Sequence, residues 1–331
     1  MKLKAGVIGV GIFGSMHART YYEMDSVDLV AVADLNPHAL KEMESRYNVK
    51  TYQDYRILLE EQQLNLISVC TPDGLHLEPV LAALFSGVHV LVEKPLAKTL
   101  DDCDVMIQSA KESKSKLMVG QILRFDPRYH AAREAVISGK IGEPVHIYTR
   151  RNNLLSSAIR MGKNSSVLFF LGIHDIDFIN WCMGCKMERA YAESVSKKLK
   201  DENIDDSYMA LIKYENGAIA SLEVSWILPK TFAKRLDAVV EIMGTEGTLF
   251  IDGSGQAVEI YSDTESECPD VMYTPELYGM KTGILRDEIN HFVDCIKYDK
   301  NPAVTGEDGR AAVEVVRALE ESIKYRQPIG L

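Results

Sequence analysis

Gly9-Val10-Gly11-Ile12-Phe13-Gly14 is the stretch that decides the fold. It follows a buried-strand pattern at residues 4–9 and opens a helical pattern, the setting that a phosphate-binding turn between strand and helix requires. The first glycine permits the tight turn, the second lets the backbone approach a pyrophosphate, and the third lets helix pack on strand. The helix amino terminus adds partial positive charge. The other reading of the same six residues is a tight strand-to-helix turn that holds no ligand. Outward from the loop, β-branched runs at 27–34, 64–71, 88–93 and 117–121 alternate with helical patterns. Such alternation predicts a parallel sheet covered by helices. Asn36-Pro37 and Thr99 followed by Asp102 supply the expected helix starts.

The first domain is therefore read as an α/β Rossmann unit over 1–122, and the pattern changes beyond it. After a helix from Pro127 to Gly139, strands follow one another with hairpin signals, notably Asn216-Gly217 between runs at 208–214 and 218–226. Late helices are expected at 285–298 and 307–325. Residues 123–331 are thus an α+β domain with a large, mostly antiparallel sheet. Its strand at 238–243 is apolar at nearly every position, which calls for cover on both faces. We expect helices on one face and a second subunit on the other.

The chain has 331 residues, 46% of them hydrophobic, and a formal net charge of -11 from 48 acidic and 37 basic residues. That balance offers no electrostatic footprint for nucleic acid or an anionic membrane. No apolar run reaches the roughly 20 residues of a membrane span, and the start Met1-Lys2-Leu3-Lys4 carries no signal-peptide pattern, so a cytoplasmic protein is expected. The six cysteines are expected to be reduced. Cys182-Met183-Gly184-Cys185 has zinc or redox spacing but no second pair, so the expected metal complement is none.

Asp34 lies twenty residues beyond Gly14 at the end of the second strand run. A carboxylate there accepts hydrogen bonds from ribose hydroxyls and repels a 2′-phosphate, which favours NAD over NADP. Thr71-Pro72-Asp73 ends the third run, Glu93-Lys94-Pro95 the fourth and Gln121 the fifth, all at the edge where open α/β sheets bind ligands. Lys94 reads either as a residue aimed at the cofactor or as a solvated lysine paired with Glu93. His174-Asp175-Ile176-Asp177 opens a helical pattern in the second domain. His174 can act as a general base with a carboxylate neighbour, or merely cap and pack a helix start. The segment Thr149-Arg150-Arg151-Asn152-Asn153, with Arg160 beyond it, reads as a site for an anionic substrate or as a solvated basic stretch.

These motifs, with His76, Arg124-Phe125, Gly244-Thr245-Glu246-Gly247 and the ending through Gln327-Pro328, resemble the Gfo/Idh/MocA oxidoreductases over nearly the whole chain. The resemblance implies an NAD-dependent dehydrogenase acting on a secondary hydroxyl of a sugar, cyclitol or sugar derivative, assembled as a homodimer or homotetramer. It implies Gly9, Gly11, Ile12, Phe13, Gly14, Asp34, Thr71, Pro72, His76, Glu93, Lys94 and Gln121 as the cofactor set. It implies Lys94, His174 and Asp177 as catalytic, with Arg124, Arg151 and Asp175 at the substrate. Two other activities occur in such a family: an NAD-retaining hydrolase or epimerase, and a dinucleotide-binding regulator without turnover. One residue departs from the inositol dehydrogenase pattern, because Phe170 stands four positions before His174 where an aspartate is usual.

Overall fold

The computed structural model describes residues 2–162, 164–234 and 236–330. The chain forms two compact units, one of Met1–Gln121 with Tyr273–Arg310 and one of Ile122–Met272 with Ala311–Leu331. In the first unit, strands β1 (Leu3–Ile8), β2 (Val27–Ala33), β3 (Lys50–Tyr52), β4 (Leu66–Val69), β5 (His89–Glu93) and β6 (Leu117–Gly120) make a parallel sheet in the order β3-β2-β1-β4-β5-β6. Helices α1 (Ile12–Tyr22), α2 (Pro37–Tyr47), α3 (Tyr55–Glu61), α4 (Leu77–Phe85) and α5 (Leu100–Ser113) connect the strands. Covered on both faces, β4 is buried at every position and apolar except at Ser68, and β5 is buried at its three central positions.

Local chemistry sets the helix ends as expected. The Asn36 side chain accepts from the His38 N–H, with Pro37 at the first helical position, and the Thr99 hydroxyl accepts from the Asp102 N–H at 3.1 Å. Order reverses between β1 and β4, so the carboxyl ends of these strands open a crevice directly above the glycine loop. The sixth strand, β3, was not expected: it is three residues long and sits at the sheet edge.

The second unit has helices α6 (Pro127–Ile137), α7 (Leu155–Met161) and α8 (Ile173–Met183). Its strands β7 (Pro144–Leu154), β8 (Met187–Val195), β9 (Ser207–Tyr214), β10 (Ile219–Leu228), β11 (Leu236–Gly244) and β12 (Thr248–Asp252) form most of one sheet. Pairing is antiparallel except between β7 and β10. Asn216-Gly217 makes the β9–β10 turn, Gly217 taking φ +87. Alternation is clean on β10: Ala220, Leu222, Val224 and Trp226 are buried, while Ile219 and Ile227 are exposed.

The chain then returns to the first unit. Helix α9 (Ile284–Lys297) belongs there, and α10 (Gly306–Tyr325) begins there and continues in the second unit, where Ile329–Gly330 (β13) pairs with β8. The grouping thus departs from a single division at 122/123. Residues 273–310 pack with the dinucleotide-type unit, a long-range choice that local patterning does not encode. Among the described residues no helix is long and apolar enough to cross a membrane.

Asp206, at the mouth of β9, shows how the second unit holds a loop. Its carboxylate accepts from the N–H groups of Lys197 and Lys198 at 2.7 Å each and of Leu199 at 2.9 Å. Burial opposes its ionisation, but those three donors outweigh burial and hold the carboxyl below its usual range. Its stabilisation is present at neutral pH and fades as pH falls through the lowered value. Asp206→Ala should cost about 2–3 kcal/mol by orphaning buried donors. Chemical denaturation at neutral pH measures this, and the gap between the two proteins should narrow in acid.

Candidate active site

The glycine loop is built by exclusion of side chains. A Cβ on Gly9, whose φ is +84, would lie 2.8 Å from the carbonyl carbon and oxygen of Cys70, and one on Gly14 would lie 1.7 Å from the Gly9 oxygen. Gly11 differs, because a Cβ there meets nothing within 4 Å among the described residues. The protein's own packing therefore does not require glycine at position 11. Open space at the N-cap of α1, where no side chain caps the helix, is what an approaching pyrophosphate would use. Ile12 and Phe13 expose their side chains on this first turn, at 57% and 49%. The cradle fits a dinucleotide.

Asp34 is fixed beside the loop. One carboxylate oxygen accepts from the Val10 N–H at 2.7 Å and the other from the Asn36 N–H at 2.8 Å. A carboxylate has about four acceptor positions, so two remain for hydroxyl groups. The residue both tethers the loop and holds a negative charge at the end of β2.

At the ends of β4 and β5, His76 is 1% exposed and bridges two carbonyls, with Nδ1 2.8 Å from the Pro95 oxygen and Nε2 2.9 Å from the Thr71 oxygen. Carbonyls only accept, so both contacts are hydrogen bonds only when both ring nitrogens carry protons. His76 clamps the segment containing Pro72 to the one containing Lys94. Gln121, after β6, is 1% exposed, and neither atom of its amide has a partner among the described residues.

Glu93 stands at the centre of a network that sequence reading missed. His17 Nε2 lies 3.1 Å from Glu93 Oε1, His17 Nδ1 lies 3.0 Å from the Ser68 hydroxyl, and the Tyr21 hydroxyl lies 2.8 Å from the same Ser68 oxygen. The Lys94 N–H donates to Glu93 Oε2 at 3.3 Å. Burial opposes ionisation of Glu93, yet His17, through hydrogen bond and charge, with Lys94 and His76 beyond it, holds the carboxyl below its usual range. The signal was there to read. His17 and Tyr21 are four residues apart on one face of α1, so two polar groups must enter the sheet side together.

In the second unit, a π-helical turn at Leu168–Gly172 runs directly into α8, so His174 lies within a continuing helical run instead of opening it. Between Ile173 and Ile179 His174 is the one residue not buried. Its neighbours Asp175 and Asp177 are committed elsewhere. Arg151 grips Asp175 at 2.6 and 3.0 Å, and Arg124 grips Asp177 at 2.8 and 2.7 Å. Arg151 also donates to the Tyr129 hydroxyl at 2.9 Å, and Arg124 lies over the Trp181 ring. The expected substrate contacts of Arg124, Arg151 and Asp175, and the expected catalytic role of Asp177, thus meet buried, internally neutralised pairs. Arg150 points to the opposite face of β7 from Arg151 and pairs with Asp237. The basic segment is split, not gathered. Cys182 is buried on α8, and burial pushes its thiol up.

Residues 3–121 match the oxidoreductase family NAD-binding Rossmann fold, and residues 133–331 match the family's C-terminal alpha/beta domain. The chain belongs to the Gfo/Idh/MocA oxidoreductase family. This member is 28% identical to the myo-inositol 2-dehydrogenase of Thermotoga maritima over 99% of this chain and 98% of that one. It is 24% identical to the scyllo-inositol 2-dehydrogenase (NAD(+)) of Bacillus subtilis over 100% and 96%. Its fold matches scyllo-inositol dehydrogenase from Lactobacillus casei, solved with NAD(H) and scyllo-inositol, with TM-score 0.87 at 22% identity over 100% and 99%. By family it is a dehydrogenase-type oxidoreductase whose Rossmann domain binds NAD.

The two kinds of glycine separate in a simple experiment. Gly14→Ala should lower stability by about 2–4 kcal/mol, because backbone cannot yield to a Cβ at that distance. Gly11→Ala should leave thermal unfolding unchanged and weaken NAD(H) binding about tenfold or more, as read by NADH fluorescence titration.

Proposed function

We propose that this protein oxidises a secondary hydroxyl of a neutral cyclitol or sugar, with NAD as hydride acceptor. The observation that carries this reading is that one sheet edge holds both the glycine cradle and Lys94, the latter fixed by Glu93 and by the His76 clamp. The bound nicotinamide supplies the acceptor for the hydride. His174, the one residue between Ile173 and Ile179 that is not buried, removes the hydroxyl proton. The Lys94 ammonium stabilises negative charge that develops on the substrate oxygen. Asp34, with its charge fixed at the end of β2, accepts from the ribose hydroxyls and disfavours a 2′-phosphate, so NAD is preferred to NADP.

A neutral substrate is favoured by charge. Arg124, Arg150 and Arg151 each face an aspartate of this same unit, so none brings a free positive charge to an anionic sugar. The inositol dehydrogenases among the relatives point to the same class of substrate. Phe170 sits four residues before His174, with its ring centroid 6.1 Å from that of Trp226, and offers no hydrogen bond to a hydroxyl.

In a screen of scyllo-inositol, myo-inositol and neutral monosaccharides, NADH should form at 340 nm with at least one of them. Lys94→Ala and His174→Ala should each lower turnover about a hundredfold while dinucleotide binding survives. A double alanine variant with wild-type turnover would overturn the assignment.

We further propose that the open face of the second unit's sheet is covered by another copy of the chain. Met209, Leu211, Ile219, Ile227 and Phe250 are all exposed there. Sedimentation at micromolar concentration should give a dimer or tetramer, and a monomer would refute this.

A further inference from the structure

The helical run that carries His174 buries almost every side chain and leaves one narrow strip open. From Val167 to Ile179 every described residue is buried except Phe170 and His174. The run begins as the π-helical turn at Leu168–Gly172 and continues as α8. A π turn winds more slowly than an α turn, so a four-residue step that starts in it returns close to a full revolution. Phe170 and His174 therefore stand one above the other on the same open face. The acids of the run, Asp175 and Asp177, turn away from it to their arginines. The strip consists of one imidazole and one phenyl ring.

That phenyl ring rests on a fixed support. Its centroid lies 6.1 Å from that of Trp226 on β10, at an interplanar angle of 37°. Trp226 is fully buried, and its only donor, Nε1–H, is already given to the Asp205 carbonyl at 2.7 Å. Between the two open residues, a Cβ on Gly172 would stand 3.6 Å from both Leu222 and Val224 of β10, so the run is held against the sheet. Neither ring of this corner can satisfy a hydroxyl group.

Side chains one helical turn apart have Cβ atoms about 5–6 Å from each other, a span that a single six-membered ring with its substituents covers. A substrate whose hydroxyl gives its proton to His174 thus sets another part of its ring against Phe170. A hydroxyl there would lose its water and gain no partner. A methylene or methyl group would lose nothing and gain apolar contact.

We propose that the substrate is a deoxy polyol, a neutral cyclitol or sugar whose methylene or methyl carbon lies against Phe170 while the hydroxyl being oxidised meets His174. Phe170 then sets the preference. The proposal rests on the dehydrogenase reading for the part played by His174. The reaction itself is unchanged: the carbinol carbon gives its hydride to NAD, the hydroxyl gives its proton to His174, and the deoxy carbon takes no part.

Rates of NADH formation compared within pairs test this, with 2-deoxyglucose and 6-deoxyglucose set against glucose, and deoxyinositols against myo-inositol and scyllo-inositol. In at least one pair kcat/KM should favour the deoxy compound about tenfold or more. Phe170→Asp should abolish or invert that ratio, and Phe170→Leu, which keeps an apolar surface, should retain it. Saturation-transfer NMR on the NADH-loaded wild type needs neither turnover nor a variant, and so decides even where Phe170→Asp does not fold. Its strongest signal should fall on the protons of the deoxy carbon.

Parents preferred in every pair, a ratio unchanged in Phe170→Asp, or saturation centred on hydroxyl-bearing carbons would overturn the proposal. A protein that oxidises none of these compounds, yet binds a deoxy member through that carbon, would sink the dehydrogenase reading and leave the apolar contact standing. Absence of both oxidation and binding would overturn the two together.

Discussion

The first unit depends on a contact that only the absence of a side chain allows. Helix α1 is pressed so close to the preceding turn that a methyl group on Gly14 would lie 1.7 Å from the Gly9 carbonyl oxygen. The same closeness brings the helix amino terminus to the crevice between β1 and β4. It also fixes the rotation of α1, and hence which face meets the sheet. His17 and Tyr21 lie on that face and reach Ser68 and Glu93, so the cofactor loop and the segment bearing Lys94 are coupled through one rigid helix. A looser helix would lose the cradle and the network together.

The two units solve the burial of charge differently. In the second, each buried acid of α8 meets a bidentate arginine, a geometry that satisfies both partners and leaves no net charge. Such pairs are demanding in geometry and fix α8 against β7 and the segment before α6. In the first unit, Glu93 meets His17 and the Lys94 N–H, and no arginine among the described residues is seen to pair with it. There the Glu93 carboxylate is held by His17 through hydrogen bond and charge, with Lys94 and His76 beyond it. The two units thus meet a buried acid with different partners, a guanidinium fork in one and an imidazole in the other.

How much of this was legible depended on the range of the interaction. The parallel strands were readable because burial on both faces leaves continuous apolar runs, and the caps at Asn36 and Thr99 were readable because they act within three residues. Lys50–Tyr52 escaped because an edge strand of three residues needs no apolar signature. The return of Tyr273–Arg310 to the first unit is a tertiary choice with no local code. The positions of the glycine turn between β1 and α1, of Asp34 directly after β2 and of Glu93-Lys94 at the end of β5 were legible in the sequence. The bidentate pairing of Asp175 and Asp177 was not, because their partners come from distant elements. His17 was missed for the same reason: it looks ordinary until its neighbours Ser68 and Glu93 are known.

The run of arginines shows how spacing misleads when the period is ignored. Read along the chain, Arg150 and Arg151 add to a single basic patch. On β7 they point to opposite faces, one to Asp237 and the other to Asp175. On the proposed reading, selectivity must therefore come from shape and hydroxyl recognition, not from net charge. A site that hydrogen-bonds a hydroxyl rejects an analogue lacking it far more strongly than an apolar wall rejects a misfit. On that same reading, a phenyl ring at position 170 in place of a carboxylate would put the second kind of discrimination where the first is usual. The tolerance of this chain among neutral polyols should accordingly be broader than that of a dehydrogenase with aspartate there.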